Sequence, residues 1–348
     1  MANGNFGGGT GTSTDPYLVE DARDLLNCNK YDKYYKQVCD IDLSEYQDGE
    51  GFPGVRVVMS SYGSSGTRVR FHYDGCGFKI KNMYQNKPTS QYTGLFIIGW
   101  VVGERTESQV YIKNVSVINA NVNGKNACAL LSCPPDYYHS SYTTLQKYFI
   151  ENCFVSGTLT SLIGEKTMGE NTGMIGATTM DSSNLNSGKS YSSLMFDVKN
   201  CVAVLDVNIS VSSQAVNKTL NLGLLCPGRD SVYHKNFEFT GANNCVHATI
   251  SIDNNVDNSV VNISGIIPTY SKIDSSTSYT NLEMNNIRNK NNVNLFYFTN
   301  DVAYETSMIS NHDKGQSNIY NYDNVHYLTD EQMKDLTYYK NLGWTIYE

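Results

Sequence analysis

The chain has 348 residues, a formal net charge of −8, 40% hydrophobic residues and only 17% charged ones, enough apolar material to fill a core. Acidic and basic residues are interspersed, so no basic stripe follows a phosphate backbone, which argues against nucleic-acid binding; no run of about 18 apolar residues occurs, which argues against a membrane span. Only 7 prolines stand against 28 glycines and 26 tyrosines, a balance that favours strands and tight turns over helices.

The chain opens on Phe6-Gly7-Gly8-Gly9-Thr10-Gly11 and Asp15-Pro16-Tyr17-Leu18-Val19. Without a following Lys the glycines do not make a phosphate loop. Met1 to Asp15 has neither a charged n-region nor an apolar h-region, so no secretion signal is expected there. Asp21 can cap a short helix with Ala22, Leu25 and Leu26 on one face. Residues 1–30 read as an N-terminal cap of the kind a solenoid needs to cover its first coil.

Alternation follows at Cys39, Ile41 and Leu43, at Val55, Val57 and Met59, and at Val69, Phe71 and Tyr73, which predicts strands. A phrase then recurs: Ile80-Lys81-Asn82-Met83, Ile112-Lys113-Asn114-Val115, Ile150-Glu151-Asn152-Cys153, Val198-Lys199-Asn200-Cys201 and a weaker Ala242-Asn243-Asn244-Cys245. Spacings of roughly 32 to 48 residues mark stacked supersecondary units, and residues 31–325 read as a parallel β-helix. Gly-rich apolar runs alternate with the phrase: Gly94 to Gly99, Ala127 to Cys133, Gly173 to Gly176, Leu222 to Gly228 and Ile263 to Pro268. Each long period is expected to divide into two coils of roughly 20 residues, giving 12 to 15 coils and a rod of roughly 60 to 70 Å.

The Asn has a mechanical reading. A bend at Asn114 with φ > 0 would reset the strand phase so that Ile112, Val115 and Val117 all face inward, and its amide could bond the equivalent Asn one coil away. Cys153, Cys201 and Cys245 share a slot with Met83 and Val115, which points to apolar core thiols instead of a disulfide frame. In the fifth copy Val246, Ala248, Ile250 and Ile252 take the opposite phase, predicting a bulge or inserted residue and an outward His247. Thr329-Asp330-Glu331-Gln332 is a capping box, so residues 326–348 are expected to close the end with a helix and a last strand at Trp344 to Tyr347.

No chemistry-bearing constellation emerges. The acidic residues, among them Glu104, Glu107, Glu165, Glu170, Asp181 and Asp230, read as solvated turn residues, not the paired carboxylates that sugar hydrolysis requires, and Asp74-Gly75 as a turn. The six histidines show no pairing suited to catalysis or a metal. No catalytic residue, cofactor or metal is expected. Tyrosine clusters suit wet interfaces, stacking on sugars, or the plain covering of turns. The loop around Asp136, Tyr137, Tyr138, His139 and Tyr142 is the best candidate contact surface, because loops on rigid scaffolds carry function.

Gly7 to Gly11 with Asp15 to Val19, the strand Asp40 to Leu43, the stretch Phe71 to Tyr84 and Gly94-Leu95-Phe96 resemble the GLUG-motif right-handed β-helix proteins, found in bacteriophage tail, baseplate and head-fibre proteins and in bacterial surface adhesins. Later copies depart from the family phrase, as at Ala127 to Leu130 and Leu222 to Leu225, so no ligand site is carried over. The resemblance implies an all-β, right-handed parallel β-helix with short capping helices. It also implies a non-enzymatic structural or attachment component of a phage virion, made in the host cytoplasm. Expected partners are other virion proteins, copies of itself, and a host cell-surface polysaccharide or protein. The alternatives are a polysaccharide-degrading enzyme and a cell-surface adhesin module.

Overall fold

The computed structural model describes residues 6–57, 68–90, 92–99, 107–133, 145–164, 172–177, 193–226, 236–242, 244–264, 272–274, 278–288, 293–296, 309–310 and 325–327. The expected C-terminal helix and last strand fall outside them.

Almost every described strand pairs in parallel with its counterpart one repeat away, so the chain is an all-β solenoid of stacked coils with three faces. The first face is an eight-stranded sheet of Tyr17–Val19, Lys33–Gln37, Arg68–Asp74, Glu107–Lys113, Leu145–Glu151, Ser193–Lys199, Asn236–Ala242 and Lys272–Asp274. The second face runs from Ile41–Asp42 through Lys79–Lys81, Ser116–Gly124, Phe154–Ile163, Val202–Val211 and Asn244–Asp253 to Ser278–Arg288 and Val325–Tyr327, with Tyr84–Lys87 also paired to Ser116–Gly124. The third face is built from the Gly-rich runs, including Phe96–Ile98, Cys128–Cys133, Gly173–Ala177, Thr219–Gly223 and Val260–Ser264, and forms two four-stranded sheets.

This arrangement corrects the expected coil length. Leu145 pairs with Glu107 and Ser193 with Leu145, steps of 38 and 48 residues, so the Asn phrase and the Gly run are different faces of one coil. Among the described residues only the opening step, from Tyr17 to Tyr35, is as short as 18 residues. The eight described strands at ~4.8 Å give a first face about 34 Å long among the described residues, half the rod expected from 20-residue coils. Periodicity alone cannot separate two short coils from one coil with two apolar faces.

The corners follow the predicted mechanics. Asn114, Asn152 and Asn200 have φ of 56°, 52° and 53°, a region that Asn tolerates better than most L-residues. Ile112, Val115 and Val117 are all fully buried around that bend. Asn200 Nδ2 donates to Asn152 Oδ1 (2.9 Å), Asn152 Nδ2 to Asn114 Oδ1 (3.1 Å), and Asn114 Nδ2 to Asp74 Oδ1 (2.9 Å). Every amide donates toward the N-terminal end, and the ladder ends on a carboxylate, which can only accept.

Asn82 belongs to a different ladder. Ile80 pairs with Val117, so its phrase lies within the second face, and Asn119 Nδ2 donates to Asn82 Oδ1, whose own Nδ2 donates to Asp42 Oδ1. The corner at Asn82 becomes a bulge at Asn119 (φ 59°), where the register between Val117 and Ala120 shifts by one residue against the next strand. Gly157 (φ 145°) lies opposite that bulge, and a Cβ there would come 2.0 Å from the Ala120 carbonyl oxygen. The next coil needs no bend, so Phe154–Ile163 runs straight.

The fifth copy contains no inserted residue at its corner. Lys199 pairs with Ala242 and Val202 with Cys245, an unbroken step of 43 residues. The phrase itself has slid: Asn244, not Cys245, stands opposite Cys201. Buried Asn244 accepts from Cys201 N (3.1 Å) and donates to Val198 O (2.8 Å), so polar pinning replaces a thiol. Val246, Ala248, Ile250 and Ile252 then pair with Ala203, Leu205, Val207 and Ile209, and all are buried. His247 falls between buried neighbours and is half-buried on the other side of the strand.

Inside the solenoid, Phe71, Val110, Tyr148 and Phe196 from the first face meet Val117, Val155 and Ala203 from the second and Phe96, Leu131 and Ile175 from the third. Cys153 and Cys201 are buried free thiols of this core, and each Sγ lies near the carbonyl two residues back, Glu151 O at 3.3 Å and Lys199 O at 3.2 Å. Buried Gln37 pins the corner between faces, donating to Cys39 O and Lys79 O and accepting from Tyr73.

At the N-terminal end Gly7 N donates to Leu18 O (2.9 Å) and Leu18 N to Gly8 O (3.0 Å). The glycine-rich start therefore folds back along the outermost strand of the first face and covers an edge that would otherwise pair with another chain. Gly9 (φ 82°) has no room for a side chain, since a Cβ would meet the Pro16 carbonyl oxygen at 1.9 Å. The helix Ala22–Asn27 follows, with Asp21 Oδ1 accepting from Arg23 N and Asp24 N, and Leu25 buried in the core.

Candidate functional site

Alternation on the first face sends Tyr35, Tyr73, Ile112 and Ile150 inward, which leaves Tyr34, His72, Tyr111 and Phe149 aligned in register on the outer surface. Their rings stack: Tyr34 on His72 at 4.0 Å and 10°, His72 on Tyr111 at 4.5 Å and 3°, Tyr111 on Phe149 at 4.6 Å and 7°. Near-parallel rings one coil apart have their normals along the solenoid axis. Both faces of His72 and Tyr111 are therefore covered by neighbours, and the stack presents ring edges outward. For the tyrosines the sequence left open wet interfaces, stacking on sugars and the plain covering of turns; here Tyr111 stacks between His72 and Phe149.

Beside the rings runs a row of charges, one per coil: Lys36, Asp74, Lys113, Glu151 and Lys199, alternating in sign and directly paired in register. Opposite charges on adjacent strands favour this pairing. Asp74 is the most engaged member. Its Oδ1 accepts from Asn114 Nδ2 and Cys76 N, and its Oδ2 from Lys113 Nζ at 3.0 Å. Burial works to raise its pKa, but the hydrogen bonds from Asn114 and Cys76 and the Lys113 ammonium outweigh it and hold the carboxyl below its ordinary range. Asp74 in turn raises the pKa of Lys113. Exposed Lys36 has no ion pair among the described residues.

Ring stack and charge row enclose a cleft of about 270 Å³ lined by Tyr34, His72, Tyr111, Lys36, Asp74 and Lys113, with Ser13 and Pro16 overhanging from the turn before the first strand. Its imidazole is held neutral: burial, then the nearby Arg70 and Lys113 charges, push the His72 pKa down to about 4. His72 Nε2 is buried without a hydrogen-bond partner among the described residues.

The loop candidates Asp136, Tyr137, Tyr138, His139 and Tyr142 lie outside the described residues, as do Glu104, Glu165, Glu170, Asp181 and Asp230. Glu107 ion-pairs with Lys147 at 2.8 Å. Of the first tyrosine cluster, Tyr35 is core, Tyr34 heads the ring stack and Tyr31 is exposed. Among the described residues no three His, Cys, Asp or Glu side chains gather as a metal site, and no helix is long and apolar enough to cross a membrane. Sequence reading missed the cleft because its lining comes from four coils; the available signal was an aromatic residue recurring at steps of 38 and 39.

Fold and cleft together define a parallel β-solenoid with a polar, partly aromatic recess on one outer face. No protein-family model matches the chain. It is 33% identical over 129 residues to a protein of Evansella cellulosilytica provisionally named a Gly-rich membrane protein, covering 36% of this chain and 14% of that protein. It is 28% identical over 133 residues to halomucin of Haloquadratum walsbyi, covering 36% of this chain and 1% of that protein. The matched segments thus span only a small part of the relatives. A solved structure from Bacteroides ovatus, provisionally described as an immunoglobulin A1 protease, aligns over 80% of both chains at 16% identity with a TM-score of 0.38, too low to carry an argument.

Proposed function

We propose that the chain is a non-enzymatic structural and attachment module, a right-handed β-helix with capped ends that stands on the exterior of a particle or cell and presents its outer faces for contact. One observation supports this most directly: the polar side chains of the first face are ordered by the coil repeat into ladders around a ligand-sized cleft. A rigid solenoid suits display, because each coil contacts only its neighbours and the surface extends with every repeat.

Two placements follow. In a bacteriophage virion the module serves in a tail, baseplate or head fibre, packed against other virion proteins or copies of itself; core packing of reduced thiols fits synthesis in the host cytoplasm. The names of the partial relatives, a membrane protein and halomucin, favour the second placement, on a cell surface. Mass spectrometry of purified virions and of cell-envelope fractions, with gold-labelled antibody in electron microscopy, separates them. Release of new reducing ends from capsule or wall polysaccharide by the purified protein would overturn the non-enzymatic reading.

A further inference from the structure

The cleft beside the ring stack has a charge and shape that select among ligands. We propose that it binds a carboxylate-bearing sugar residue of an acidic glycan. This rests on the attachment reading and gives that site its ligand class.

The ring geometry decides first. A neutral sugar held by an aromatic platform needs an open ring face, and the faces of His72 and Tyr111 are covered on both sides. What His72 and Tyr111 offer the cleft is ring edges, the electropositive part of the aromatic quadrupole. The charges decide next. Both Asp74 oxygens are taken by Asn114, Cys76 and Lys113, which leaves Lys36, exposed on the adjacent strand, as the cation of the cleft that makes no ion pair among the described residues. His72, neutral above about pH 4, adds no charge of its own. An anionic group is therefore drawn to the Lys36 end, although the chain as a whole carries −8.

The rest of the lining suits a polyol. Tyr34 and Ser13 bring hydroxyls to the lining and Lys113 an ammonium with protons left beyond its pair with Asp74, while the Tyr111 hydroxyl donates to Gln109 Oε1 (3.0 Å) and can still accept; the space is about 270 Å³, enough for one or two sugar residues at the low end of small-ligand sites. An extended acidic peptide would bring apolar side chains or a backbone seeking a sheet edge, and the cleft lies on the flat of the sheet, with its terminal edge already covered by Gly7 and Gly8.

The test is calorimetric titration of the whole chain with tetrasaccharides containing glucuronate, galacturonate or sialate, the carboxyl-reduced form of each, and hexa-aspartate. At least one acidic saccharide is expected to bind about tenfold or more tighter than its reduced form. Lys36→Gln should remove that preference, Lys36→Arg should keep it, and Lys79→Gln on another face should leave it unchanged. Melting temperature verifies that each variant is folded. Equal binding of acid and reduced forms, no effect of Lys36→Gln, tighter binding of the peptide, or no binding of any acidic saccharide overturns the proposal. Persistent labelling of intact cells by the protein alongside such a result leaves the attachment reading standing, whereas loss of cell labelling with saccharide binding intact counts against attachment alone.

Discussion

Replacing Asn152 separates the two jobs assigned to the corner asparagines. Asn152 sits at φ 52°, donates to Asn114 and accepts from Asn200 in the middle of the ladder. Alanine at that position carries a left-handed penalty of about 1 kcal/mol or more and removes two part-buried hydrogen bonds worth ~0.5–1.5 kcal/mol each. The expected loss is about 2–4 kcal/mol. Glycine loses the same hydrogen bonds without the backbone strain, so Asn152→Gly should be less damaging than Asn152→Ala by about 1 kcal/mol, even after the entropy that glycine adds to the unfolded chain. Denaturant unfolding followed by circular dichroism reads both, comparing midpoints at constant slope. Because Asn114 and Asn152 share a hydrogen bond, the double alanine variant should cost less than the two single losses combined. An Asn152→Ala protein within about 0.5 kcal/mol of the parent would refute the ladder as a source of stability, and identical Ala and Gly variants would refute the strained corner.

Further outcomes follow from the same geometry. Gly157→Ala places a methyl 2.0 Å from the Ala120 carbonyl oxygen at φ 145° and should cost about 3 kcal/mol or more, read as a large fall in melting temperature; a fall of only a degree or two would disprove the bulge packing. Cys153→Val, an apolar swap into a slot that Val115 fills one coil earlier, should change stability by less than about 1.5 kcal/mol, and a larger loss would show that the thiol contact with Glu151 O matters. For His72, the folded pKa of about 4 lies below the ordinary 6.5, so between those values the unfolded chain binds more protons. That part of the stability is complete above about pH 6.5 and is lost as pH falls toward 4. The partly exposed ring reduces its worth to about 1–2 kcal/mol. His72→Phe keeps the stack and should flatten the stability profile across that window, leaving the acid loss from Asp74, whose lowered pKa places it further down the scale. An unchanged profile would refute the desolvated imidazole.

The corner phrase was legible because its demands are local. A left-handed bend between two inward apolar residues needs Asn or Gly in the short range, and stacking repeats that need at every coil. The partition of coils was not legible: an apolar run on a second face of one coil and on a separate coil have the same sequence. Register was hidden in the same way. Asn82 carries the shared phrase yet stacks on Asp42 and Asn119, and the slide at Asn244 reads in the sequence as a bulge or an inserted residue where the pairing is an unbroken step.

By itself, then, the sequence determined an all-β chain of stacked units, the bends at Asn82, Asn114, Asn152 and Asn200, and the packing of Cys153 and Cys201 into a core. Tertiary structure decided how many residues make one coil and which ladder each Asn joins. It also decided that Tyr34, His72 and Tyr111, far apart in the chain, close a cleft beside Lys36, Asp74 and Lys113. The physical reason is that alternation and turn chemistry act over a few residues, while the cleft depends on hydrogen-bond register between strands some 38 residues apart.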